Sequence, residues 1–494
     1  MISIPQSHFN WDQDARNPFN WTRPRKWTTI AVACWVTFIT GLNATSITTA
    51  AEAISRQFHL PDHRIEVNFF AVVAWNAAAA FVPLVTLPLM DTYGTRIGYL
   101  ACYVLFTIFI IPQALAENFA TLVVSRILAG AFGGTVQNAA DGIIANVFRH
   151  HHERALPLTI YILALLMGVT MGPVLGAVFE PLNWRWIFWI ELIICGATLP
   201  VVAFWAEETR GSVIQAQILS KTESATPAKL SEDENPVKML KETITRSTKF
   251  LVAEPTITSF TIWSSFAFGL VFISTQSIPL VFARAYGWGS YSSGLVQSAI
   301  AIGEIVGFVA CLYQNHIYVR SARHGIPGAG DGEVSSEQHD PVPESILYLS
   351  IPSTAIALSG GLFMYGWSIF QTHWVVTALA LLLIGYASMV IVTAVTIYIT
   401  HSYAGFAASA IAAVAFGENL VAAFLPLATK AMYEDLGYQW ASSLLGFVAL
   451  TLTLAPIILL WKGPAIRGRG KVIQELPLSA KIYGIQYKNL QNNN

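Results

Sequence analysis

Charge is scarce in this sequence of 494 residues: Asp, Glu, Lys and Arg together make up 12% of it, against roughly 25% in an ordinary soluble domain. The shortage excludes a string of water-facing domains, which would need charge spread along the whole chain. What charge there is collects in the first 26 residues, in 207–250, in 315–345 and after 461. Cysteine is almost missing too. Cys34, Cys102, Cys195 and Cys311 all lie in apolar segments, where a thiol serves as a small hydrophobe, so neither a disulfide framework nor a metal site is expected. The polar N-terminal stretch has no apolar core of the kind a cleaved secretory signal carries. No basic run points to nucleic acid, and the net charge of −1 says nothing about partners.

What is abundant is apolar length. Crossing a bilayer takes about 20 mostly apolar residues, and that length predicts twelve helices: 27–48, 68–90, 97–115, 119–146, 156–179, 186–206, 256–282, 290–314, 346–366, 374–400, 404–427 and 440–461. The expected fold class is an all-α membrane protein, with twelve transmembrane helices in two six-helix bundles. The chain divides into a tail (1–26), a first bundle (27–206), a polar central loop (207–255), a second bundle (256–461) and a second tail (462–494). Of the 28 Lys and Arg residues, only Arg56, Arg64, Arg185, Arg284 and Lys430 fall on the side away from the termini, and Arg126 lies within a span. The bias predicts that both termini are cytoplasmic. Two comparable halves around a long loop point to a transporter built from repeats, with its substrate near the midplane.

An ionisable group inside a span is a functional candidate, because lipid cannot solvate it. Arg126 and Asp141 in the fourth span, Glu191 in the sixth, Glu304 in the eighth and Glu418 in the eleventh qualify. At about 100° per residue, Arg126, Gly130, Gly133, Gly134, Gln137 and Asp141 share one sector of the fourth helix, a polar and small-sided stripe. Arg126 is suited to a carboxylate or carbonyl-rich ligand; the alternative is that it pairs with a buried acid and only holds its helix. Glu418 sits in an alanine-rich span and is a candidate proton carrier, followed by Glu304 and Asp141. Asn43 and Asn76 add neutral polarity. The sequons at Asn20 and Asn43 are read as chance matches, and His150-His151-His152 as an anchoring segment rather than a metal site.

One stretch in the fifth span is more specific. Gly168, Gly172-Pro173 and Gly176-Ala177 form a glycine ridge with a proline beside it. It resembles the GxxxGPxxGG signature of drug:proton antiporters of the major facilitator superfamily, with Ala177 replacing the last glycine. Asp91-Thr-Tyr-Gly94-Thr-Arg96 resembles the superfamily's loop between its second and third helices, and Arg126-Ile-Leu-Ala-Gly130 its RxxxG motif. Asn183-Trp-Arg-Trp-Ile-Phe188 and the stretch from Ala407 to Gly446 resemble the fungal twelve-span branch, which includes polyamine, multidrug and organic-acid exporters. The likeness runs over about 20–465. Three positions depart from it. Leu87, Thr92 and Thr95 alter the first loop; Asn146 replaces the acid that this loop is thought to lock against; Glu418 stands where the fungal branch usually has Arg. The first two departures imply a gate resting on neutral hydrogen bonds.

The resemblance implies the major facilitator fold, two bundles rocking around a central cavity lined by helices 1, 4, 7 and 10. Asn43, Arg126, Gln137, Gln276 and Tyr386 are then candidate substrate contacts, Glu418, Glu304 and Asp141 proton-coupling acids, and Asp91, Gly94, Arg96, Gly168, Gly172, Pro173 and Gly176 gating or structural residues. The expected function is secondary active efflux of a drug, secondary metabolite, polyamine or organic acid. The proton gradient is the energy source, with no cofactor. The partners are a small-molecule substrate, protons and the lipid bilayer, no nucleic acid, and the protein is expected to work as a monomer. A plasma-membrane address is expected, with the vacuolar membrane as alternative. The rivals are a proton-coupled uptake symporter or facilitator of the same fold and, from another class, a membrane-embedded transferase, for which the spans hold no catalytic cluster.

Overall fold

The structure is a computed structural model that describes residues 11–60, 65–179, 182–222, 245, 248, 250–324, 342–403 and 407–467. Most of the central loop, the acidic 325–341 segment and the C-terminal tail from 468 lie outside the described residues. Among the described residues there is no strand. Eleven helices among the described residues are long and apolar enough to cross a membrane: α1 Arg23–Gln57, α3 Thr95–Ala114, α4 Phe119–Val147, α5 His151–Phe179, α6 Arg185–Trp205, α7 Pro255–Tyr286, α8 Ser290–Ser321, α9 Pro343–Ser368, α10 Trp374–Ser402, α11 Ser409–Asp435 and α12 Tyr438–Gly463. The twelfth, α2, is a pair, Val72–Phe81 and Pro83–Tyr93, bent by 45°. Pro83 causes the bend, since it removes a backbone donor and crowds the preceding turn.

The helices pair in a pattern that repeats at an offset of six. In the first half α1 packs on α5, α2 on α4, α3 on α6; in the second α7 packs on α11, α8 on α10, α9 on α12. The halves meet along two seams, α5 against α8 and α2 against α11, which exchange under the same offset. Two copies of one six-helix plan therefore face each other, as the spacing of the spans implied. Large apolar side chains such as Ile97, Ile193, Phe204, Ile302 and Trp461 stay exposed on the outside, as a lipid-facing surface requires. Below, the near end is the one at which residue 23 enters α1, and the far end is the opposite one. Residues 11–22, read from sequence as part of a tail, fold against the near end, where Asp12 pairs with Arg149 at 3.2 Å.

The tightest seam inside the first half is α1 on α5, and the glycine ridge makes it. A Cβ on Gly168 would strike the Phe38 carbonyl, one on Gly172 would strike Thr45 and the Leu42 carbonyl, and one on Gly176 the Ser46 carbonyl. Thr45 Oγ1 crosses the seam to donate to the Val169 carbonyl at 2.7 Å. Pro173 and Ala177 lie on another face of α5, toward α8, where a Cβ on Gly294 would meet both the Ala177 methyl and the Pro173 carbonyl. The alanine that replaces the signature's last glycine is thus matched by a glycine on the opposing helix.

Gly172→Val should therefore overpack the α1–α5 seam, destabilising the protein by about 1–3 kcal/mol. Gly142→Ala, at a position with open space around it, should leave the melting temperature of the detergent-purified protein unchanged; equal melting of both variants would contradict the packing account.

Candidate functional site

Where α1 approaches α5 most closely, its α-helix ends at Thr45 and gives way to a 3-10 turn over Ser46–Ala50. Such a change of winding leaves carbonyls near the junction short of their usual partners. Arg126 of α4 takes them: Nη1 donates to the Asn43 carbonyl at 2.6 Å and Nη2 to the Ala44 carbonyl at 2.7 Å. Asn43 joins the rest. Its Nδ2 donates to Glu191 Oε2 at 2.6 Å, while its Oδ1 accepts from Trp75 Nε1 at 3.1 Å and from Arg126 at 3.2 Å. Arg126, Asn43 and Glu191 are each 0% exposed. The planar fork of Arg126 thus pins α4 to the break in α1 through carbonyls, and Asn43 links it to the buried acid Glu191. Arg126 and Asn43 do not line the wide cavity described below.

The loop at Asp91–Arg96 finds its charged partners in a place the sequence reading passed over as linker. Glu208, just beyond α6, accepts from the Thr95 and Arg96 amides at 3.1 Å each, closing off the first turn of α3 with a carboxylate. Gly94 has φ 113°, and any Cβ there would press on Glu208. Arg210 pairs with Asp91 at 3.3 Å. The loop is thus held by two charged groups, Glu208 and Arg210, that the expectation of neutral hydrogen bonds did not include. Arg96 gives only its amide, its side chain being exposed.

The acids of the two halves converge. Asp141 of α4 and Glu418 of α11 line one cavity of about 20 Å³ with Gln137, Tyr161, Thr396 and Asn419, enough room for one water. Ser264 of α7 donates to Glu418, while Asp141 Oδ1 and Gln137 Oε1 are buried without a protein partner. Glu304 lies on the other seam: Thr170 of α5 donates to its Oε1 at 2.5 Å. Toward the near end the halves are held together by Asn315 Nδ2 donating to Thr159 Oγ1 at 2.8 Å, and by His151 stacked on His401 at 4.6 Å. Tyr318 Oη shares a hydrogen bond with His401 Nδ1 at 2.7 Å. The histidine triplet thus places one ring in a contact between the halves, a role its spacing did not signal.

Toward the far end the α5–α8 seam persists, but the other helices of the two halves draw apart. A cavity of about 510 Å³ opens there between α1, α7, α8 and α11, a volume suited to a drug-sized molecule. Thr48, Thr49, Thr275, Gln276, Trp288, Ser293 and Thr429 line it, with Glu52, Arg284 and Lys430 also on its walls. Of the five expected substrate contacts it includes Gln276. Gln137 lies deeper, in the small cavity with the acids. Tyr386 belongs to the α8–α9–α10 side of the second half, where Ser353 Oγ donates to its hydroxyl at 3.4 Å. Ser293 and Thr429 were not singled out from sequence; a hydroxyl in a span is too common a residue to signal a wall.

Residues 33–329 match the profile of the Major Facilitator Superfamily. An Aspergillus oryzae protein named MFS transporter cpaT is 30% identical over 92% of this chain and 91% of its own length. The efflux pump radE of Floropilus chiversii is 28% identical over 93% of this chain and 84% of its own. Among solved structures, the proton:xylose symporter XylE superposes with a TM-score of 0.63 at 14% identity, covering 90% of this chain and 96% of that one. That likeness concerns the fold.

Removing the carboxylate in Glu208→Ala should free the first amides of α3, a loss of about 1.5–3 kcal/mol for charge-assisted bonds, read as faster hydrogen exchange at residues 95–98. Arg210→Ala, which breaks a half-exposed pair, should cost under about 1 kcal/mol. Unchanged exchange in Glu208→Ala would show that the loop is held by something else.

Proposed function

The chain belongs to the major facilitator superfamily and is a secondary transporter, and we propose that it exports a small organic molecule in exchange for protons. The observation that carries the proton part is the meeting of Asp141 and Glu418, one acid from each half, on the wall of one small cavity. Two negative charges there repel across a poorly solvated gap, and that repulsion opposes closure of the near end. A proton held on either acid removes the opposition. Closing the near end while the far cavity is open is then coupled to protonation, and loss of the proton favours the reverse. Export is supported by the relative named as an efflux pump and by the glycine ridge of α5. In this reading the near end is cytoplasmic, as the Lys and Arg bias supports, the plasma membrane is the site of action, and the working unit is the monomer. The substrate enters from the near end between the bundles and leaves through the far cavity. Glu304, between the two ends on the α5–α8 seam, is the second candidate for carrying a proton.

The test is proton movement in proteoliposomes with a trapped pH dye, on addition of uncharged drugs, polyamines and organic acids. Glu418→Gln and Asp141→Asn should each lower substrate-driven proton flux at least tenfold while the protein still elutes as a folded species. Substrate movement without proton flux in the unaltered protein would mean a facilitator, and full flux in both variants would remove these acids from the coupling.

A further inference from the structure

The polar groups in the wall of the far cavity fall into two sets. Thr48, Thr49 and Thr275 donate back to carbonyls of their own helices, at 2.8 Å to Thr45, 3.4 Å to Ser46 and 2.7 Å to Phe272. Gln276, Ser293 and Thr429 do not. Both side-chain polar atoms of Gln276, Ser293 Oγ and Thr429 Oγ1 are buried without a protein partner, on residues 6%, 1% and 1% exposed. They come from α7, α8 and α11 respectively, so three separate helices bring residues with unmet hydrogen-bonding groups to the wall of one cavity. Buried polar groups are normally satisfied, and a set that converges on a cavity is a set left for a ligand. All three residues can both donate and accept, and none carries charge.

The charges of the cavity are already engaged. Arg284 pairs with Glu434 at 2.7 Å, Lys430 reaches the same carboxylate at 3.9 Å, and Glu52 pairs with Arg56 at 2.9 Å. A polyamine or a polycarboxylate would have to share or displace one of these existing partners and would also have to surrender its hydration. The wall also has apolar surface. Pro279, Leu280 and Ala283 line it beside Trp288, whose ring is braced by Phe282 and Trp374, each at 5.3 Å.

Resting on the exporter reading above, we propose that the substrate is an uncharged, oxygen-rich molecule with a flat ring system, its carbonyl and hydroxyl oxygens meeting Gln276, Ser293 and Thr429 while its ring lies against Trp288. Polyamines and organic acids are thereby set aside. The test is equilibrium binding to the detergent-purified full chain at pH 6, with radiolabelled griseofulvin and naringenin as neutral probes and spermidine and citrate as charged ones. At least one neutral probe should bind saturably, and Gln276→Met, which keeps the side chain's shape and removes its amide, should weaken that binding tenfold or more. Thr429→Val should weaken it as well, and Trp288→Phe should abolish the tryptophan quenching that the probe causes. The proposal is overturned if spermidine or citrate binds more tightly than both neutral probes, if neither neutral probe binds saturably, or if Gln276→Met and Thr429→Val, both folded by their melting curves, bind as the unaltered protein does. Binding that behaves as expected while proteoliposomes show no proton flux would sink the coupled-export reading and leave the substrate class standing.

Discussion

The close approach of α5 to α1 is the constraint from which the first half is built. Gly168, Gly172 and Gly176 present bare backbone to Phe38, Leu42, Thr45 and Ser46, and only at that distance can Thr45 reach the Val169 carbonyl. The segment of α1 pressed into the ridge is the one that leaves α-helical winding. Its released carbonyls are what Arg126 binds. The ridge, the break and the arginine are three parts of one device: small residues permit the approach, the approach accompanies the break, and the break creates acceptors for a charge that lipid could not hold. Thr48 and Thr49, which follow the break directly, line the far cavity, so the wall of the cavity is positioned by the same contact.

This dependence explains why Arg126 was hard to place from sequence. A charged residue on a glycine-lined stripe of a helix is equally consistent with a cavity and with a neighbouring helix, and nothing in the residues around Asn43 announces that the helix will change winding there. The twelve spans were legible because apolar length is a direct requirement of the bilayer. The ridge was legible because a four-residue glycine period has few other uses. Glu208 and Arg210 were not, since they sit in a polar run after α6, and their partners are backbone amides and an aspartate over a hundred residues earlier. Ser293 and Thr429 became visible only as unmet atoms around a volume, which no one-dimensional pattern contains. Ala177 looked like a lapse in the signature, and is instead one half of a pair with Gly294.

The two halves share a plan without sharing its chemistry. The seam of α1 on α5 in the first half corresponds to α7 on α11 in the second. In the first a buried arginine is held by carbonyls; in the second Glu418 is held by a serine hydroxyl of α7. The acid at position 418 leaves the second half with a removable charge, opposite Asp141. A guanidinium keeps its proton at any physiological pH, whereas a carboxylate can exchange one. Symmetry of packing therefore coexists with asymmetry of charge, and the asymmetry is what a proton-driven cycle needs.

The α5–α8 seam indicates how strongly the closed end is held. Its contacts run from Ala177 against Gly294 at the far end, through Thr170 and Glu304, to Thr159 and Asn315 toward the near end. The far contact is van der Waals only, and the near one is a single neutral hydrogen bond, beside the stacked His151 and His401. A neutral hydrogen bond contributes about 0.5–1.5 kcal/mol net, and an aromatic contact about as much. These polar and ring contacts are each small, and they stand beside the apolar packing of α2 against α11 and of α5 against α8 and α10. Moving a two-state equilibrium from 1:99 to 99:1 takes about 5.5 kcal/mol of differential binding. A more strongly sealed gate would trap the protein facing one way, and a weaker one would let solute leak past without exchange.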